Sequence, residues 1–293
     1  MPILLNDRER VIYEAAQAGD AKTLKSLQAL VFERPVVGVR EFVESPDYLD
    51  HKGKIYESVI ELLEAVFQPH IREAHIEIGR GAGKSVLAAL FQAYNLYWLD
   101  NLRRPQEFYG RRPGSTISVI NVSISAEQAQ AVIFEELLSL IEKSKYFKGK
   151  FVPRKRDLFF PKKHLRAIAG HSGSIAWRGY TTFAGIADEI NYMRDKRNKS
   201  NADEMWAVLQ GSTSTRFPGS YKLISISSSR EKGDFEDRNM SFVKKNGIEV
   251  ALPHILKHRA RVAGLVLPSN PTEIIQVGAL QRNLPGIISV KSS

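Results

Sequence analysis

The stretch "HIEIGRGAGKSVLAALF", His75 to Phe91, passes from alternating apolar residues through a glycine-rich turn into a run with helical spacing. A turn of this kind is either a phosphate cradle or a tight corner between a strand and a helix. A cradle needs a strand, a turn whose backbone N–H groups point inward, and a helix whose N-terminus faces the anion. It also needs a lysine to reach the β- and γ-phosphates and a hydroxyl for Mg2+. Each part is present. "AHIEI" is the strand, Gly79, Gly81 and Gly83 permit the tight backbone, and Lys84 and Ser85 open the helix "SVLAALFQAYNLYWL". The pattern G-x-x-x-x-G-K-[ST] is altered at its first glycine, where Ile78 stands and Gly79 follows one step later. Strand and helix still flank the turn in the required order. Gly79, Arg80, Gly81, Ala82, Gly83, Lys84 and Ser85 therefore read as a cradle for the phosphates of ATP.

A magnesium-bound triphosphate further needs a carboxylate at the end of a neighbouring strand, and hydrolysis needs a group beside it to position water. "TTFAGIADEI", Thr181 to Ile190, is an apolar strand ending in Asp188 and Glu189, roughly 100 residues beyond the turn. Asp188, with Ser85, is assigned to the Mg2+ and Glu189 to the attacking water. An aspartate alone would serve a kinase or GTPase. The adjacent glutamate favours an ATPase that converts hydrolysis into motion.

Around these motifs, strand and helix alternate. "STISVINVSIS", "HLRAIAG", "TTFAGIADE" and "YKLISISSS" read as strands, while "YESVIELLEAVFQ" and "AEQAQAVIFEELLSLIEKS" read as helices, the second capped by Ser125. The expected class is α/β: a P-loop NTPase of RecA/ASCE-like type, its mostly parallel sheet covered by helices on both faces. Residues 1–50 read as a small N-terminal helical extension, with Asn6 and Asp20 as caps and "ERPVVGVREFVESPDYL" as a connector. The ATPase domain is placed at 51–250. Residues 251–293 read as an irregular basic tail, with a short strand at "IISV", and as a truncated second domain or a linker to one.

Forty-two Lys and Arg against 32 Asp and Glu leave a net charge of +10, which favours a polyanionic partner, nucleic acid first. The absence of cysteine excludes disulfides and thiolate-held metals. No apolar run approaches the roughly 20 residues that span a bilayer. The start "MPILLNDRERVIYEAAQ" lacks the charged-then-apolar order of a signal peptide, so the expected compartment is the cytosol and no membrane partner is expected. Basic runs lie at Pro153 to Asp157, Lys162 to His164 and Arg194 to Ser200. Binding to a phosphate backbone needs only several such cations on one face. The seven histidines offer no ligand spacing beyond the i, i+4 pair His254 and His258.

Four stretches between about Tyr56 and Arg230 resemble the large terminase subunit, the DNA-packaging ATPase of tailed bacteriophages. "GRGAGKS" resembles that family's variant P-loop with an internal arginine. "VINVSISAEQAQAVIFEEL" is similar to the strand and helix that follow it. "SIAWRGYTTFAGIADEI" resembles the segment in which an RG turn precedes the Walker B strand, and "LISISSS" the next strand, whose polar end couples nucleotide state to movement. The resemblance implies that Arg80 contacts the γ-phosphate within its own subunit. It also implies that Arg178 is an arginine finger reaching a neighbour's nucleotide, and that Ser228 and Ser229 meet the γ-phosphate or its water. It implies double-stranded DNA held without regard to sequence, a portal protein and a small terminase subunit as partners, and a homo-oligomeric ring assembled from chains that are monomers in solution. The expected location is then the host cytoplasm, transiently at the portal vertex of a prohead. Two features depart from the family. The adenine-reading glutamine has only Gln68 as a candidate, and a paired-metal nuclease needs several carboxylates where residues after Glu249 offer only Glu273. Cutting activity is therefore not expected in this chain. Two rival readings share its motifs: another P-loop DNA-dependent ATPase of helicase or recombinase type, and a non-catalytic, nucleotide-switched DNA-binding module.

Overall fold

The computed structural model describes residues 11, 14, 18–19, 21–68, 71–79, 81, 83–125, 129, 134–155, 157–171, 179–194, 201–228, 232–239, 250–251, 265–266 and 286–291. Its centre is an eight-stranded sheet. In chain order the strands are β1 (Ile71–Glu77), β2 (Ile117–Ser123), β3 (Val152–Pro153), β4 (Asp157–Phe160), β5 (Leu165–His171), β6 (Thr181–Asp188), β7 (Lys222–Ser227) and β10 (Gly286–Lys291). Their spatial order is β10-β1-β7-β6-β2-β5-β4-β3; β8 (Val250–Ala251) and β9 (Leu265–Val266) pair separately. From β10 to β5 every pairing is parallel, and β4 and β3 add an antiparallel edge. The strand carrying Asp188 is thus separated from the strand feeding the glycine turn by β7 alone.

Central parallel strands bury both faces, and β1, β2 and β7 are buried along their whole length. The described helices are α1 (Ala21–Val31), α2 (Val39–Glu44), α3 (Glu57–Val66), α4 (Lys84–Asn101), α5 (Pro105–Phe108), α6 (Glu135–Glu142) and α7 (Ala202–Ser214). Helix α4 is buried almost all round, which is why its sequence is apolar on every side rather than striped. It packs against β2, β5 and β6, while α7 lies on β6 and β7. Gly185 lets α7 approach so closely: a Cβ there would stand 2.8 Å from Leu223 Cδ2 and 3.3 Å from Leu209 Cδ2.

Local structure departs from the sequence reading at α2, at α7 and at the β3–β4 hairpin, and agrees with it at the last strand. The stretch taken as a connector contains α2, because Val39, Phe42 and Val43 are buried against an aromatic cluster. Phe42 stacks on Tyr97 at 4.9 Å, Tyr97 Oη accepts the Val37 N–H at 3.0 Å, and Tyr94 Oη donates to the Val37 carbonyl at 2.8 Å. Helix α7 and the β3–β4 hairpin were not expected at all. The short strand at "IISV" lies inside β10, which runs parallel to β1 with His75 opposite Ser289. Of the helix begun at Ser125, Glu135–Glu142 is described and 126–128 and 130–133 lie outside the described residues, as do Asn6, Asp20 and the His254/His258 pair.

Candidate nucleotide site

β1 delivers the chain into the turn at its C-terminal end, and Ile78 N–H still pairs with the Ser227 carbonyl at 2.9 Å. Gly81 and Gly83 then take φ of 75° and 87°, a left-handed region open to glycine and costly to other residues. Gly83 is followed at once by α4, whose 18 residues put a helix N-terminus at the turn. Ile78, in place of the first glycine, directly follows β1, keeps that backbone bond to β7 and is buried. Gly79, Gly81, Gly83, Lys84 and Ser85 lie together in this corner. Arg80, Ala82, Arg178 and Ser229 lie outside the described residues.

Across β7, β6 ends in Asp188, and Glu189 follows in a left-handed conformation with φ 54°. A non-glycine residue there is strained by about 1 kcal/mol or more and persists only where its surroundings hold it. Glu189 N–H donates to the Ile226 carbonyl at 2.7 Å. Its Oε2 accepts from Ser227 Oγ at 3.3 Å, Ser228 N–H at 3.2 Å and Ser228 Oγ at 3.3 Å. Its Oε1 stands 2.7 Å from Lys84 Nζ. The structure therefore brings the turn lysine, the strand-end carboxylates and the serines of β7 into one constellation.

The two carboxyls are set apart electrically. Burial, and then the neighbouring Glu189 charge, push Asp188 up to about 6, against the hydrogen bond it accepts from Ser123 Oγ at 3.0 Å. Burial also acts to raise Glu189, but the hydrogen bond and charge of Lys84, helped by Ser228, outweigh it and hold Glu189 below the usual carboxylate range. A buried carboxylate that ionises with difficulty is suited to a hard cation that supplies the missing positive charge, and Ser85, in the first turn of α4, adds a hydroxyl to the same corner. These donors fit a magnesium-bound triphosphate. Asp188 and Ser85 would hold the metal, Lys84 and the turn's N–H groups the phosphates.

Ser123, Ser227 and Asn191 were not singled out in the sequence. Ser123 and Ser227 share a signal that could have found them: a hydroxyl as the last residue of an otherwise mostly apolar strand. Gln68 lies at the opposite end of β1 from the turn, about 23 Å away along a seven-residue strand. There its carbonyl accepts from Lys222 Nζ at 2.8 Å and its side-chain amide donates to the Glu64 carbonyl, so it does not read a base in this cradle. The basic runs also differ in use. Lys163 turns inward, donating to Glu33 at 2.5 Å and to the Leu102 and Arg103 carbonyls at 2.7 and 3.1 Å, while Lys162 is exposed.

A family model described as "Uncharacterized protein MJ0330, N-terminal P-loop domain" matches residues 10–260. No curated protein matches the sequence. Among solved structures, the large terminase of bacteriophage HK97 aligns over 73% of this chain and 44% of its own, at 17% identity and a TM-score of 0.52. The chain thus spans less than half of that protein. The ATPase domain of the Thermus phage P74-26 large terminase aligns at 18% identity and a TM-score of 0.44, over 65% of this chain and 69% of its own. A further large terminase, from a thermophilic bacteriophage, aligns at 10% identity and a TM-score of 0.45, over 64% of this chain and 43% of its own. The resemblance to large terminase ATPase domains carried by the four sequence stretches is matched in the fold, and the fold is that of a P-loop NTPase.

Proposed function

The chain belongs to the family of the MJ0330 N-terminal P-loop domain, and on that premise we propose that it is the ATP-hydrolysing motor domain of a viral DNA-packaging terminase. One observation carries the reading: Glu189, next to Asp188, is gripped by the serines of β7 and by Lys84 in the corner below the glycine turn. A nucleotide switch without hydrolysis would have no use for a strained, ionised carboxylate at that position.

The chemistry assigned to the chain's own groups is direct. Lys84 and the N-terminus of α4 neutralise charge on the β- and γ-phosphates. Mg2+, when bound, neutralises charge that develops as the γ-phosphoryl leaves. Glu189 accepts a hydrogen bond from the attacking water, orients it in line with the γ-phosphorus and takes its proton as the bond forms. Binding the triphosphate draws Lys84 away from Glu189, and the carboxylate becomes more basic as it loses that cation. Ser228, which directly follows β7, reports the change to the rest of the chain together with Ser229, and Arg80 meets the γ-phosphate in its own subunit.

The net charge of +10 supports double-stranded DNA, held by its backbone, as the track. Assembly into a ring on a portal protein, with a small terminase subunit, follows from the same reading. So do an arginine finger at Arg178 and residence in the host cytoplasm and at the portal vertex. The test is ATP turnover by the purified chain alone, with duplex DNA, and with a portal–prohead preparation. Turnover stimulated by the last two supports a packaging motor. Stimulation by single strands with duplex unwinding would favour the helicase-type rival.

A further inference from the structure

We propose that Asn191 is a positioning residue that couples the hydrolytic carboxylate to the helical turn at 235–239, so that this turn responds to the nucleotide. The proposal rests on the reading of Glu189 given above. Asn191 lies two residues beyond Glu189, in the 3-10 turn Ile190–Tyr192, and is 3% exposed. Its backbone N–H donates to Ser227 Oγ at 3.3 Å, its Nδ2 donates to the Ser228 carbonyl at 3.1 Å, and its Oδ1 accepts the Glu236 N–H at 3.1 Å. The same two serines hold Glu189 Oε2. The Ser227 hydroxyl stands between the two residues, donating to the carboxylate and accepting from Asn191. Any shift of Glu189 toward a water on the γ-phosphate must reset this pair of serines, and Asn191 is fastened to both.

The far end of the connection is held as a unit. Glu236 is wholly buried, with Oε2 3.6 Å from Nδ1 of His75, which itself meets Ser225 Oγ at 2.8 Å. Phe235 packs on His75 and Trp206 with ring centres 5.6 and 5.9 Å away. Arg238 forms a two-pronged bond to Asp203 at the start of α7, at 2.8 and 2.7 Å. The turn is therefore clamped to β1 and α7, and Asn191 is its link to the reacting carboxylate. The chemistry is specific to an amide. Aspartate at this position would accept from Glu236 N–H but would face the Ser228 carbonyl with a second acceptor, and alanine would do neither.

Two measurements test it. In the parent chain, amide hydrogen exchange across 233–239 is followed with and without a saturating, non-hydrolysable ATP analogue and Mg2+. In Asn191→Asp and Asn191→Ala, kcat, the dissociation constant of the analogue and Tm are measured beside the exchange. The expected result is a change of at least about threefold in exchange at 233–239 in the parent on adding analogue. Both variants should lose it while keeping analogue affinity within about threefold, with kcat down by about 30-fold, as misplacement of a reacting group by a fraction of an ångström produces. An Asn191→Asp chain with parental kcat overturns the proposal. So does a parent whose 233–239 exchange ignores bound analogue, and this second arm decides the matter even if the variants fail to fold. Glu189→Gln run in parallel separates the two levels: parental turnover there defeats the assignment of Glu189 itself, whereas slow turnover there with parental Asn191 variants defeats only the coupling.

Discussion

Lys84 Nζ and Glu189 Oε1 are in contact at 2.7 Å, joining the cation of the glycine turn to the carboxylate at the end of the Asp188 strand. Both side chains are mostly buried, 14% and 18% exposed, so their attraction is screened far less than at a surface. One ammonium thus faces two claimants, the carboxylate and the phosphates of a nucleotide. The triphosphate carries more charge and should win.

Lys84→Ala should therefore reduce ATP turnover by at least about 100-fold, because loss of a charged contact in a desolvated cradle costs on the order of 3 kcal/mol. Parental hydrolysis by this variant, measured by phosphate release, would show that the turn is a corner and not a cradle.

Glu189→Gln keeps the shape and the acceptor for the Ser228 N–H but cannot take a proton. It should bind ATP with Mg2+ near parental affinity and turn over about 100-fold or more slowly. Equal loss of binding and turnover would assign Glu189 to ground-state binding instead of to the water.

The cradle and the two carboxyls were legible in the sequence because their chemistry demands residue types at fixed places. Glycines must precede a Lys-Ser at a helix start, and acids must close an apolar strand. The rest was hidden for different physical reasons. Asn191 works through contacts with residues about 36–45 positions away, and a lone asparagine after a strand has no local signature. Helix α7, "ADEMWAVLQGSTS", ends in residues of low helical preference and is held by packing of Trp206 and Leu209 on the sheet. Strand β4 follows a basic run that reads as a solvated loop, yet Arg154 lies on the Phe159 ring at 4.2 Å and Arg166 pairs with Asp157 at 2.6 Å. The pairing of β10 with β1 joins residues from distant parts of the chain, which no local pattern announces.

Asp188→Asn should separate stability from function by pH. Folding raises the Asp188 pKa from its ordinary 3.8 to about 6. The folded state thus holds this proton more tightly than the unfolded state, and stability from that source is complete below about pH 4 and lost as pH rises through 6. Asparagine removes the buried charge, so the nucleotide-free variant should melt a few degrees above the parent at pH 8 and level with it near pH 4. Its turnover should lose normal dependence on Mg2+. A variant that melts below the parent at pH 8 would show that the ionised Asp188 is not a burden on the fold.

Arg178 should act between subunits. A motor that fires its sites in order needs each site to be incomplete until a neighbour docks, and an inserted guanidinium supplies that dependence. Arg178→Ala, with a sound cradle, and Lys84→Ala, with a sound finger, should each be inactive under assembled conditions. Mixed, they should recover a fraction of parental turnover. If assembled Arg178→Ala equals the parent, another arginine serves.

DNA binding should be blind to sequence and fall steeply with salt, because each phosphate neutralised releases a counterion. The neighbouring lysines 162 and 163 sharpen this test. Lys163 is spent inside the fold, bridging Glu33 and two carbonyls with only 11% of its side chain exposed, whereas Lys162 is free to meet a phosphate. Lys163→Met should lower Tm, at a cost of about 2 kcal/mol, from the bonds it leaves unmade, and leave the salt slope of DNA affinity unchanged. Lys162→Ala should leave Tm alone and reduce the slope by about one if the Lys162 to His164 run grips the track. Binding that protects one defined sequence and ignores added salt would mean that the protein reads DNA rather than moves along it.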